Sequence, residues 1–184
     1  SVAYDTTAIR KDGQIEAKRI ELGINGSTSK ASWNIKGYGY ESDRGIPGAI
    51  VRNHFGARGQ TLVDKNYFVQ GSYQIRFGKL ESKLNAKWAY DQTKYTDTVT
   101  TIKVRNQYLQ KELYVSWSTV YRYNKRFSTS FSADYQYNTL DANLKNFSYP
   151  TRNSYWLALA TSYQDDYLSV QGSVLGTFVQ EKVE

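Results

Sequence analysis

The sequence has no cysteine and no methionine, one histidine and two prolines among 184 residues. Each absence excludes something. Without cysteine there is no disulfide scaffold, no thiol nucleophile and no thiolate-bound zinc. With His54 as the only histidine, a two-histidine metal site is impossible and a catalytic triad has a single candidate base. No apolar run approaches the roughly 18 residues of a membrane helix, and no apolar segment marks a signal peptide. The missing methionine includes the initiator, so Ser1 reads as a position inside a processed or partly recorded product.

Rings are abundant instead. Tyrosine occurs 17 times and aromatics make up 15% of the chain, too many for a disordered sequence. Mean hydropathy is nevertheless only -0.65. A membrane β-barrel needs apolar residues only at alternate positions, so low hydropathy is compatible with a bilayer. Composition leaves a soluble all-β module and an outer-membrane barrel both open.

Periodicity is two nearly throughout. In the segment 127–139, Phe127, Thr129, Phe131, Ala133, Tyr135 and Tyr137 alternate with Ser128, Ser130, Ser132, Asp134, Gln136 and Asn138. Such alternation belongs to a strand and cannot make one face of a helix. Leu84, Ala86, Trp88 and Tyr90 alternate similarly, as do Leu113, Val115 and Trp117, with Lys111 as the one breach of its row. The pattern predicts eight strands at 14–25, 31–42, 61–77, 83–97, 104–121, 126–140, 152–163 and 167–181. Most exceed the usual five or six residues of a soluble strand and reach the ten or so that a tilted membrane strand requires.

The connections alternate in length. Short turns are expected at 26–30, 78–82, 122–125 and 164–166, and long loops at 43–60, 98–103 and 141–151. In an up-and-down meander every second connection lies at the same end, so short turns gather at one rim and long loops at the other. That is the asymmetry of outer-membrane barrels, with short periplasmic turns and longer extracellular loops. Both prolines, Pro47 and Pro150, fall in long loops, where a missing N–H breaks no ladder. Tyr40, Tyr67, Tyr95, Tyr108, Tyr137 and Tyr155 lie toward the long-loop ends, and Phe77, Tyr121, Phe127, Tyr163 and Tyr167 toward the short turns. Two such rows read as aromatic girdles.

The expected fold class is therefore all-β, an antiparallel up-and-down transmembrane β-barrel in a bacterial outer membrane, with residues 1–184 a single segment of about eight strands. Eight strands can close alone, but a sealed eight-strand interior must be filled by side chains. The small polar residues Ser128, Ser130, Ser132 and Asn138 would underfill it and suit the wall of a wider barrel.

One region has a family likeness. Glu41-Ser42-Asp43-Arg44-Gly45-Ile46-Pro47-Gly48-Ala49-Ile50-Val51, continuing to Asp64-Lys65-Asn66-Tyr67-Phe68-Val69-Gln70-Gly71-Ser72-Tyr73, resembles the middle of the barrel in TonB-dependent outer-membrane receptors, in particular those of Bacteroidetes related to cobalamin and siderophore importers. Leu84-Asn85-Ala86-Lys87-Trp88-Ala89-Tyr90-Asp91 is similar to the strand that follows in that family. The resemblance implies a barrel of about 22 strands, with an N-terminal plug and import of a small nutrient energised through TonB. The partners it implies are the rest of the barrel, the plug, the TonB complex acting through the plug, a surface lipoprotein and outer-membrane lipid. Neither plug nor TonB box is recognisable in this chain.

Signals for chemistry are sparse, and the expectation is a non-enzyme with no cofactor and no metal. Asp165, Asp166 and Asp141 stand at turn or loop edges, where Asp satisfies backbone donors locally. The formal charge of +7 comes from scattered rather than clustered basic residues, which argues against nucleic acid and fits neutralisation of anionic lipid or an anionic ligand path. The best ligand-contact candidates are Arg44, Arg52, Asn53, His54 and Arg58 in the longest loop, where Gly45, Gly48, Gly56 and Gly59 permit close backbone approach. Two readings of other classes stay open: a self-contained eight-stranded outer-membrane protein with an adhesive or structural role, and a soluble all-β carbohydrate-binding module.

Overall fold

The computed structural model describes residues 13–47, 59–98 and 103–183. These form eight strands: β1 (Ile15–Ser27), β2 (Ala31–Gly45), β3 (Gln60–Phe77), β4 (Leu80–Asp97), β5 (Val104–Arg122), β6 (Phe127–Ala142), β7 (Thr151–Gln164) and β8 (Ser169–Lys182). All belong to one antiparallel sheet in sequence order, β1 to β8, and no helix occurs among the described residues. The expected meander and its strand count are thus present. The sheet is not closed into a barrel: β1 and β8 are its two open edges, so the eight strands do not seal on themselves as a self-contained eight-stranded barrel would. Local alternation specifies each strand and its neighbour, but nothing in it encodes a pairing between edges 140 or so residues apart.

Several boundaries differ from expectation by a few residues. β2 runs on through Asp43 and Arg44 to Gly45, so the first long connection is 46–59 rather than 43–60. β6 extends to Ala142, which puts Asp141 inside a strand and shortens the third long connection to 143–150. Asn25, Gly26 and Ser27 end β1, and the turn occupies 28–30. There Thr28 Oγ1 accepts the N–H groups of Lys30 and Ala31 at 3.3 and 3.0 Å. The tightest turn is Gly78-Lys79, between paired Phe77 and Leu80; Gly78 sits at φ +59°, a conformation that suits a residue without Cβ.

Register sorts the residues onto two faces. One carries Ile20, Leu22 and Ile24 of β1, Trp33 and Ile35 of β2, Val69 and Tyr73 of β3, and Leu84 and Trp88 of β4. It continues with Leu113, Val115 and Trp117 of β5, Phe131 and Tyr135 of β6, Leu157 and Leu159 of β7, and Val174 and Phe178 of β8. The other face holds Asn34, Gln70, Ser72, Lys87, Asn85, Glu112, Ser116, Asp134, Gln136, Ser132 and Ser162. Gly39 lies on the apolar face between Ile20 and Tyr67, where a Cβ would come within 3.1 Å of Ile20 Cγ2 and 3.4 Å of Tyr67 Cδ1, so glycine leaves room for the two flanking side chains.

The sheet is one layer thick. Its only buried apolar residues among those described are Ala89 and Ala142, while Leu22 is 69% and Val174 65% exposed. A soluble domain stabilises itself by packing such a face against a second layer. Here the apolar band, which spans all eight strands, is exposed, and none of the described residues packs on it.

Candidate functional site

The two faces differ in chemistry, and the sheet is inclined to its own rims. The pair closing the first turn, Ser27 and Ser32, continues along one row through Gln74, Lys83, Ser118, Ser132 and Ala158 to Leu175. The pair closing the fourth turn, Gln164 and Ser169, lies six residues beyond that row. The long-loop rim is displaced in the same sense: the row through Thr139 and Thr151 returns through Lys111, Tyr90 and Tyr67 to Gly39, six residues short of Gly45. At the turn rim the slip is about one residue per strand, which with ~3.3 Å per residue and ~4.8 Å between strands inclines the strands by about 35°. Membrane barrels have strands tilted about 35–45°.

The apolar band follows this inclination. Toward the long loops it ends at Ile20, Tyr67 and Tyr90 on one row, then at Leu113 and Tyr137 two residues lower, then at Tyr155 and Phe178 two lower again. Immediately beyond, the same face turns polar on every strand: Lys18, Glu41, Lys65, Gln92, Lys111, Thr139, Asn153 and Gln180. On β3 the band runs from Tyr67 to Phe77, ten residue steps. That is about 33 Å along the strand and ~27 Å across the band after tilting, close to the ~25 Å apolar height of an outer-membrane barrel.

Aromatic rows border it. At the loop side Tyr67 and Tyr90 lie 6.0 Å apart, Tyr135 and Tyr155 5.1 Å, and Tyr155 and Phe178 6.0 Å. At the turn side Tyr121 meets Tyr123 at 4.8 Å and Tyr123 meets Phe127 at 5.0 Å. Three residues expected in the loop-side row are not in it. Tyr40, Tyr95 and Tyr108 pair with Asn66, Asn106 and Ala142 and therefore belong to the polar face. Parity along the strand decides this, and distance from the loop does not.

The polar face is cross-linked from strand to strand. Lys36 pairs with Glu21 at 2.6 Å, Asn66 donates to Asp91 at 2.7 Å, and Glu112 accepts from Lys87 at 3.1 Å and Gln136 at 2.9 Å. Near the turns Glu81 is held by Arg76 and Arg122 at 3.1 and 2.9 Å. Several of the scattered cations are thus strand-to-strand ties. Rings also sit on this face, among them Tyr38, which stacks on Phe68 at 4.9 Å, with the Arg19 guanidinium 5.3 Å from the Tyr38 centroid. A hollow of about 390 Å³ opens near the long-loop rim, where Gln110, Glu112, Gln136, Asn138, Arg152 and Glu181 contribute polar groups. None of these was singled out as a contact residue from sequence, although their positions on the polar parity of β5–β8 were legible.

Of the expected contact residues, Arg44 is in β2 rather than a loop, and its guanidinium is committed to Asp64 at 3.1 Å. Asp64 also accepts from Thr93 at 2.8 Å. Arg52, Asn53, His54 and Arg58 lie outside the described residues. Among the described residues no group of three or more acidic or histidine side chains is arranged to hold a metal.

No protein-family model matches the chain, and no curated protein matches it.

Proposed function

We propose that this chain is part of the wall of a β-barrel in a bacterial outer membrane, with the apolar face toward lipid and the polar face toward a water-filled lumen. The barrel is wider than eight strands, and it serves as a TonB-dependent importer of a small nutrient of the cobalamin or siderophore class. One observation carries the membrane placement. The apolar band runs across all eight strands and, from β4 to β8, steps toward the turns in the same sense as the rims, while the opposite face is mainly polar. The open edges support the wider barrel, since backbone groups on β1 and β8 need partners wherever water is excluded. The importer and its plug, TonB and lipoprotein partners rest on the likeness of residues 41–73 and 84–91 to that family. Ligand would be captured by the outer loops and released inward as the plug rearranges under TonB pull.

The cysteine-free sequence makes the placement directly testable. In the native-length protein in outer membranes, Leu159→Cys should carry a fluorophore quenched by lipid-borne quenchers, and Ser130→Cys one quenched from water. The reverse pattern would overturn the placement. Import is tested separately: uptake of a cobalamin- or siderophore-class ligand should stop when the proton gradient collapses. Uptake that survives would sink the importer reading and leave the membrane placement untouched.

A further inference from the structure

Beyond the loop-side aromatic row, the apolar face carries cations whose neighbours do not neutralise them. Lys94 of β4 stands opposite Gln107, Arg105 of β5 opposite Thr96, and Lys111 of β5 between Tyr90 and Thr139. All three are exposed, and none has a carboxylate within 4 Å among the described residues. Lys182 of β8, opposite Thr151 in the row of Lys111, is likewise exposed and without an ion pair among the described residues, whereas two further cations of this face are paired. Lys65 is tied to Glu41 at 3.4 Å and Lys18 to Glu16 at 3.3 Å. The acid nearest in register to Lys111 is Asp141, one diagonal away opposite Leu109, with no ion pair between them.

The backbone beneath the cations is fixed. Asn143, just past the end of β6, accepts the Gln107 N–H on Oδ1 at 2.6 Å and donates from Nδ2 to the Arg105 carbonyl at 2.8 Å. One side chain thus continues the ladder that β6 no longer supplies and holds Arg105 and Gln107 in strand geometry. A hollow of about 380 Å³ opens there, bounded by Lys94, Thr96, Arg105, Gln107 and Asn143. Lys94 and Lys111 lie at two heights, four residues apart along the register, or about 13 Å.

Unpaired cations at this level, directly above a row of rings and an apolar band, complement a ligand with an acyl body and an anionic head. We propose that Lys94, Arg105 and Lys111 form the headgroup site of a phosphorylated lipid in the outer leaflet, with Gln92 and Gln107 as neutral donors beside them. The assignment rests on the membrane placement above. Arg105 offers a planar fork to a phosphate nearest the loops, and Lys94 and then Lys111 supply charge two and six residues nearer the apolar band.

The test uses the native-length protein in neutral detergent micelles, with a phosphorylated outer-leaflet glycolipid, the same glycolipid dephosphorylated, and inorganic phosphate as probes. The protein should retain the phosphorylated lipid, and the Lys94→Gln/Arg105→Gln/Lys111→Gln variant should bind it at least about 10-fold more weakly. Lys83→Gln, on the polar face, should bind as the parent does. Equal loss in Lys83→Gln, equal retention of the dephosphorylated lipid, or displacement by millimolar inorganic phosphate would each overturn the site. Heat-modifiable gel mobility of every variant reports whether the barrel has formed. A variant that folds and binds unchanged refutes the headgroup site alone, whereas a parent protein that never enters bilayers refutes the membrane placement.

Discussion

Trp117 donates its indole N–H to Ser82 Oγ across β4 and β5 at 2.9 Å, on the apolar face four residues from the end of β5's apolar row at Tyr121. Ser82 in turn donates to the Ser118 carbonyl at 3.4 Å. A lone serine amid Leu84, Trp88 and Phe131 looks misplaced until the indole is considered: if this face meets lipid, as proposed, the donor has no water to turn to. Ser82→Ala should therefore cost about 1 kcal/mol of unfolding free energy in a urea titration. Ser82→Thr, which keeps the hydroxyl, should restore most of it. An unchanged midpoint in Ser82→Ala would show that the indole is satisfied otherwise.

Neighbouring residues on opposite faces should respond oppositely to the same charge. Phe131 lies on the apolar face, edge-on to Trp117 at 5.6 Å and opposite Leu159. Ser130 lies on the polar face between Val120 and Ala160. A charge on a lipid face at mid-depth costs up to about 2–4 kcal/mol, with acidic residues toward the low end. Phe131→Asp should block assembly in the membrane and Ser130→Asp should not, read as the folded fraction on unheated gels. Equal folded fractions would sink the assignment of faces.

How much of this was legible beforehand can be traced residue by residue. Period-two alternation placed all eight strands within about three residues of their ends, because side-chain parity is fixed by backbone geometry alone. Boundaries slipped where polar residues continue a ladder. Arg44 looked like loop chemistry, yet its pairing with Asp64 is an ordinary cross-strand contact that extends β2. The outer aromatic row was misread at Tyr40, Tyr95 and Tyr108 because depth was weighed before parity. Lys111 is an exception in its row, but its significance needed register: only its place between Tyr90 and Thr139, with Lys65 and Gln92 just beyond the band on β3 and β4, shows that the polar residues form a boundary. The open edges were legible only indirectly, from small polar residues such as Ser128 and Ser130 that would underfill a sealed eight-strand interior, because alternation along a strand says nothing of edge pairing.

The fourth short turn should be acid-sensitive. Asp165 Oδ1 accepts the backbone N–H groups of Tyr167 and Leu168 at 2.9 and 2.8 Å, and Oδ2 accepts the Tyr163 hydroxyl at 3.0 Å. The Tyr167 and Leu168 amides, then the Tyr163 hydroxyl, hold the carboxyl below its ordinary value of 3.8. A lowered folded value means the carboxylate form favours the closed turn, so its contribution is complete above the ordinary value and is lost as pH falls through the lowered one. Hydrogen-exchange protection factors of Tyr167 and Leu168 should be level from neutral pH down to that range and then drop. In Asp165→Ala they should be low throughout. Protection that is flat through the acid range in the parent would remove the carboxylate from the turn.

The inclination of the strands can be measured without any variant. It follows from register alone: the row that begins at Ser27 ends six residues short of the last β7–β8 pair, Gln164 and Ser169. If the turn rim lies parallel to the plane of a bilayer, the strands must stand about 35° from the membrane normal. Polarised infrared spectroscopy of the protein in oriented bilayers reads that angle from the dichroism of the amide I band. A value within about 10° of 35° is expected, in the range of membrane barrels. Strands standing upright, or lying near the membrane plane, would mean that the band meets some surface other than a bilayer, because no rotation of this sheet then keeps all eight apolar rows at one depth.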